Sequence, residues 1–197
     1  PMHLGELASI RSGLVLARKE SREPTPYCYN LLTLRSIHPD GSIAQEDLSV
    51  FYASEPLKAE YLTQPGDIIV RLTTPYTAAL IDSTTSGLVV SSNFMIIRTE
   101  SNRLLPDYLF WLLNTPAVKR RIYTSTTSNV LSAVKASFFT QFQLHVPPIP
   151  QQERIGQIHK LARRETALLH QLAEEKEKYY AAILARNDSS MKRGTSV

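Results

Sequence analysis

One segment limits this chain more than any other. Residues 151–186 contain no Pro, and no Gly after Gly156. They are rich in Ala, Leu, Glu, Lys and Gln, all strong helix formers. Steps of three and four residues pick out Ile155, Ile158, Ala162, Glu165, Leu169, Leu172, Lys176, Tyr179 and Ile183. Most of these are apolar, so the segment carries a heptad-like seam about four heptads long. Leu161, Leu168 and Leu184 widen the stripe on its flank. A helix of about 32 residues would reach about 48 Å at 1.5 Å per residue. The rest of the chain is too short to cover that length on one side, so the seam is expected to meet another long helix. No other segment of the chain can supply one. The partner is a second copy or a different protein, and the alternative is a helix folded back onto its own domain. Glu165 and Lys176 interrupt the seam, and polar seam positions tend to fix register and orientation. An antiparallel homodimer could bring Glu165 of one chain near Lys176 of the other.

The remainder divides by pattern. Residues 1–150 are expected to form one domain, 151–186 the long helix and 187–197 a polar, flexible tail. Within the domain, Gln64-Pro65-Gly66-Asp67 reads as a turn leading into the strand Ile68–Leu72. Ala78–Asp82, Leu88–Val90 and Phe94–Arg98 read as further strands. The alternation Phe138, Thr140, Phe142, Leu144, Val146 reads as one more. Pro106-Asp107 opens a predicted helix through Asn114, because Pro and an early carboxylate both suit a first helical turn. A second short helix is predicted near Pro116. Pro147-Pro148-Ile149-Pro150 should act as a stiff hinge. The fold class expected is α+β: a mainly-β domain with a few helices, followed by one long coiled-coil-like helix.

Composition narrows the function. Hydrophobic residues make up 43% of the 197, enough for a real core, and 20% are charged, which argues against wholesale disorder. No stretch of about 18 apolar residues occurs, so no membrane span is expected. The first residues lack the basic start and apolar run of a secretory signal. The single cysteine, Cys28, can form no internal disulfide and is expected as an ordinary half-buried thiol, which fits a reducing cytoplasm. No phosphate-binding Gly-rich loop, Gly-x-Ser-x-Gly elbow or cluster of Cys and His with zinc spacing is present. The Asn/Asp-Pro-Pro-Tyr/Phe tetrapeptide of amino-methyltransferases is also missing. The chain is therefore expected to carry no catalytic residue, metal or cofactor of its own.

The signals for a nucleic-acid partner are distributed. The net charge is +4. No Asp or Glu occurs from Tyr108 to Gln152, a stretch holding Lys119, Arg120, Arg121 and Lys135 together with the hydroxyl- and amide-rich run Tyr123–Asn129. Cations beside small donors suit phosphate oxygens. Arg71-Leu72-Thr73-Thr74-Pro75-Tyr76-Thr77 is a second polar stretch, placed just after a predicted strand. The DNA-facing pool is Arg71, Thr73, Thr74, Tyr76, Asn93, Lys119, Arg120, Arg121, Ser128, Asn129 and Lys135. Arg reading guanine, Asn reading adenine and Thr against a thymine methyl are the contacts such residues make.

Val146-Pro147-Pro148-Ile149-Pro150-Gln151-Gln152-Glu153-Arg154-Ile155, followed by the heptad helix, resembles the Pro-Pro-Leu-x-Glu-Gln-x-x-Ile junction of the specificity subunits of type I restriction–modification systems. Leu4-Gly5-Glu6-Leu7-Ala8-Ser9-Ile10-Arg11-Ser12-Gly13 resembles the opening of that family's recognition domain. Gly66-Asp67-Ile68-Ile69 is similar to its Gly-Asp-Ile-Leu turn and strand. Pro106–Asn114 resembles its mid-domain helix, and Leu131–Phe142 the segment before its last strand. The resemblance implies a target-recognition domain that reads half of a split site in double-stranded DNA. It also implies a spacer helix that docks modification subunits. Those subunits would bind S-adenosylmethionine and methylate adenine, and a separate restriction subunit would cut. Family members usually carry two recognition domains and two helices in one chain; here there is one of each. A homodimer would restore the pair and predicts a palindromic split site. The other expectations left open are a protein-interaction adaptor and a silent specificity cassette without DNA binding.

Overall fold

The computed structural model describes residues 1–100, 102–127 and 134–194, with side chains to Ser125 in the second helix and to Asp188 in the last. Short strands β1 (Met2–His3), β2 (Ala8–Ser12), β3 (Cys28–Leu31) and β4 (Ser49–Tyr52) come first. β5 (Ile68–Arg71), β6 (Ala78–Leu80) and β7 (Phe94–Thr99) follow. Then come helices α1 (Pro106–Asn114), α2 (Pro116–Thr127) and α3 (Ala136–Thr140), strand β8 (Gln143–Leu144) and the long α4 (Ile149–Gly194). The fold is α+β. The chain divides into two units, Pro1–Gly156 and Gln157–Val197.

The centre of the first unit is a four-stranded antiparallel sheet in the order β2-β7-β5-β6. β5, β6 and most of β7 are continuous apolar runs because both faces of the sheet are covered there. Ile68, Val70, Met95 and Ile97 point into a core shared with Leu109, Phe110 and Leu113 of α1, Ile122 of α2 and Phe139 of α3. The alternate residues Ile69, Phe94 and Ile96 point the other way, against Leu32, Ile37 and Leu88. β3 and β4 form a separate antiparallel pair, laced to the segment around Val89 through the bonds Leu32 N to Val89 O (2.9 Å) and Val89 N to Asn30 O (2.8 Å). β1 pairs with β8 and so closes the first unit's two ends against each other.

The turn before β5 forms as its residues dictate. Gly66 sits at φ +89°, a conformation that suits glycine, and Asp67 N donates to Gln64 O at 3.0 Å. The Asp67 carboxylate is buried and takes both arms of Arg98, at 2.6 and 2.7 Å, across the sheet. These bonds raise the Arg98 guanidinium's pKa further above its ordinary value.

Several elements differ from the sequence expectation. Phe138–Thr140 lies in helix α3 rather than a strand; Phe138 and Phe142 are four residues apart, and their rings meet at 5.9 Å. Leu88–Val90 is extended but makes only single bridges, from Val89 to Leu31 and Leu62. Cys28 is exposed, because its side chain lies on the outer face of the β3–β4 pair. α4 begins at Ile149, inside the expected hinge, since Pro150 is tolerated in a first helical turn. It continues through 187–194, assigned above to a tail, where no Pro or Gly interrupts it before Gly194.

The start of α4 is held within the first unit by one residue. The Gln152 side chain is fully buried. Its amide nitrogen donates to Arg103 O and Pro147 O, both at 2.7 Å, and its oxygen accepts from Leu105 N at 2.9 Å. Gly156 faces Asp107 so closely that a Cβ there would stand 2.8 Å from the aspartate's own. Ile155 packs against the domain core, so this first residue of the expected seam is already occupied. In the second unit the remaining seam residues, Ile158, Ala162, Glu165, Leu169, Leu172, Lys176, Tyr179 and Ile183, are all exposed. Among the described residues no helix is long and apolar enough to cross a membrane.

Candidate nucleic-acid interface

The antiparallel sheet brings one end of each of its four strands together. β5 finishes there at Arg71, which pairs with Phe94, the first residue of β7. β2 finishes there at Ser12, opposite Met95, and β6 begins there at Ala78, opposite Val70. Main-chain bonds tie the connecting loops together. Leu72 N donates to Asn93 O at 3.0 Å, Gly13 N to Phe94 O at 3.1 Å and Ser92 N to Leu14 O at 2.8 Å. Gly13 passes so close to the Ser91 carbonyl that no side chain fits.

Arg71 joins a fourth segment to this cluster. Its Nη1 donates to Leu34 O at 3.2 Å, while Nη2 reaches Thr73 Oγ1 and Thr74 O, both at 3.4 Å. The guanidinium thus braces the loop 72–77 against the loop 33–36, leaving its Nε buried without a hydrogen-bond partner. Thr73, Thr74, Asn93 and Arg35 are exposed around it. Segments 12–15, 33–36, 71–77 and 91–93 contain two arginines, eight Ser or Thr residues, of which Ser36, Thr77 and Ser91 are buried, and no Asp or Glu. Such a surface offers cations and small donors with no carboxylate to repel a polyanion.

The sequence-derived pool is only partly gathered here. Arg71, Thr73, Thr74 and Asn93 come together. Tyr76 does not present itself to solvent: its φ is +55°, and the ring turns inward to join Leu72 and Ala78 in the core. Its burial offsets the cost of that left-handed backbone, roughly 1–3 kcal/mol. The basic triplet on α2 splits up. Asn114, the last residue of α1, brackets Ala78 through Oδ1 (3.1 Å to N) and Nδ2 (3.0 Å to O), so α2 starts near the same end of the sheet. Lys119 and Arg120 lie about one turn in. Arg120 is exposed, whereas burial lowers the Lys119 ammonium's pKa. Arg121 instead lies 4.2 Å over the Phe142 ring and donates to Gln143 O at 3.3 Å, committed to the β8 side. Lys135 is exposed at the N-cap of α3. Ser128 and Asn129 lie outside the described residues. Arg35 was missed from sequence, where it is a lone cation between Leu34 and Ser36; only the fold puts its loop beside Arg71. Among the described residues no group of His, Cys, Asp and Glu could hold a metal ion.

The first unit is a mainly-β domain whose sheet end carries an acid-free loop cluster, and it leads into one long helix with an apolar seam. Comparison with solved structures names that architecture. The HsdS subunit from Thermoanaerobacter tengcongensis is similar over 90% of this chain and 45% of its own, with TM-score 0.65 and 18% identity. A structure describing complex assembly and conformational transition of the type I R-M system is similar over 92% of this chain and 42% of its own (TM-score 0.62, 16% identity). The type I restriction-modification system S subunit from M. genitalium gives 83% and 38%, TM-score 0.55 and 14% identity. The chain therefore has the fold of type I specificity subunits and spans less than half the length of each of these. No family model and no curated protein matches the sequence.

Proposed function

We propose that the chain is a non-catalytic DNA sequence-specificity subunit of a type I restriction–modification system. It reads half of a split site with the loop cluster at the Arg71 end of the sheet. Modification subunits, which bind S-adenosylmethionine and methylate adenine, dock on it and supply the chemistry; a restriction subunit cuts. The observation that carries this reading is the coincidence of two things. The fold matches specificity subunits over about nine-tenths of the chain, and the cluster its sheet builds is hydroxyl-dense, arginine-bearing and free of carboxylates. The apolar seam of α4 is exposed among the described residues, and a second copy would cover it, so the working form is a homodimer with a two-fold related pair of half-sites.

The test is methylation mapping. Co-expressed with its modification subunit in a host lacking other such systems, the chain is expected to produce a palindromic split motif of methylated adenines. That motif should vanish when the chain is omitted. A non-palindromic motif would keep DNA reading and replace the second copy with a different half. A stable complex of the two proteins that methylates nothing would overturn the reading in favour of an adaptor or silent cassette.

A further inference from the structure

One turn of the loop cluster carries a guanidinium that the fold itself does not use. Ser36 N donates to Thr33 O at 3.2 Å and closes the turn Thr33–Ser36. The two hydroxyl residues then lock it from both ends. Thr33 N donates to Ser36 Oγ at 3.0 Å, Ser36 N to Thr33 Oγ1 at 3.1 Å and Ser36 Oγ to Thr33 O at 2.8 Å. Thr33 Oγ1 also donates to Asp47 O at 2.9 Å, and Arg71 Nη1 holds Leu34 O at 3.2 Å. Leu32, Leu34 and Ile37 pack into the core on this side of the sheet, and Ser36 is fully buried. Arg35 is left as the exposed residue of a turn whose backbone is tied on both sides of it.

We propose that Arg35 is a specificity-determining residue that reads a guanine, with both arms of its fork on O6 and N7 in the major groove. This role rests on the DNA reading proposed above and adds the residue and the base. Other arginines of the first unit are spent within the fold. Arg98 is taken by Asp67, Arg121 by Phe142 and Gln143, and Arg71 by Leu34, Thr73 and Thr74. Among the described residues the Arg35 guanidinium makes no hydrogen bond or ion pair, so its donors are all available. Asp47, tied to this turn through its carbonyl, has its carboxylate 4.0 Å from His38 Nε2.

Reach and order favour a base over a phosphate. The other exposed polar residues of the four segments, Ser12, Thr73, Thr74, Ser92 and Asn93, are short. Arg35 outreaches them, and base edges lie at the floor of a groove about 8.5 Å deep. A planar fork held on a fixed turn loses little freedom when it meets two acceptors side by side. A phosphate asks mainly for charge, which lysine supplies as a point charge. Guanine asks for the fork. The lysine variant therefore separates the two.

The test is binding of the purified complex with modification subunits to duplexes that carry the methylated motif with one base pair replaced at a time. Replacing one G·C pair in each half should weaken the parent about tenfold or more. With Arg35→Ala, and equally with Arg35→Lys, that replacement should weaken binding less than about threefold, while the penalties at other positions are kept. The melting temperature of both variants should stay within about 2 °C of the parent, since the side chain is exposed. Even weakening across all sequences in Arg35→Ala, restored by Arg35→Lys, would make the contact a phosphate one and overturn the guanine reading. Unchanged affinity and unchanged penalties would remove Arg35 from the interface. A motif without a G·C pair would overturn the role as well, and so would a uniform loss in both variants larger than one base contact supplies. A parent complex that methylates and binds no particular site would sink the DNA reading itself, a failure visible before any variant is made.

Discussion

Asp67 shows how much one side chain can be asked to hold. Its buried carboxylate fixes the Gln64–Asp67 turn by accepting from Gln64 N at 2.8 Å and pins β7 by the two-pronged bond to Arg98. Removing one member of such a pair strands the other, and the usual loss is about 3–5 kcal/mol. Asp67→Asn keeps the size and removes the charge, so urea denaturation should show a loss of about 3 kcal/mol. A loss below about 1 kcal/mol would mean that Arg98 finds water in solution and that the pair is not the tie described. Gln152 works by a different rule. It carries no charge, yet its amide satisfies two carbonyls and one N–H that the start of α4 would otherwise bury unpaired. Gln also stands in the junction motif at this position, and the structure gives that residue type a reason: only a side chain with both a donor and an acceptor completes the set.

At the scale of elements, the loops at the Arg71 end would, on the function proposed above, separate stability from recognition. Thr73, Thr74 and Asn93 are exposed, and their main-chain groups carry the lacing. Alanine at all three should leave the melting temperature within about 2 °C and cut site-specific methylation at least tenfold. Tyr76→Ala, one residue beyond Pro75, should instead cost about 3 kcal/mol of stability through the lost core ring. If the triple variant melted far lower, those side chains would be structural and the reading face would have to be sought elsewhere. Much of this layout was legible in advance. Pro106 and Pro116 announce the starts of α1 and α2, and the Gly66 turn announces β5. Other elements were not legible, for physical reasons. Apolar spacing at Phe138 and Phe142 fits a helical turn as well as an alternate-face strand, and only packing decides. Tyr76 looked available because its neighbours are polar, but its positive φ reverses the direction of the ring. The site itself is an edge made by four distant segments, and no local window contains it.

For the molecule as a whole, the two units should melt by different laws. The first unit, Pro1–Gly156, buries a core of its own, whereas the apolar seam of α4 beyond Ile155 is exposed among the described residues. Helicity followed at 222 nm should therefore show one transition that is independent of protein concentration and one that rises with it, as mass action requires of a dimer. A single concentration-independent transition would remove the helix pair. The same division of labour reaches beyond stability. The loops that gather Ser12, Arg35, Thr73 and Asn93 are sewn together largely by main-chain amides and carbonyls, with side-chain bonds from Arg71, Thr33, Ser36 and Ser91. Amides and carbonyls are common to all residues other than proline. The side chains above that stitching can therefore be exchanged with little risk to folding. If it reads DNA as proposed, such a surface can be rewritten one letter at a time, and a lineage carrying it could acquire a new target without first surviving an unfolded ancestor.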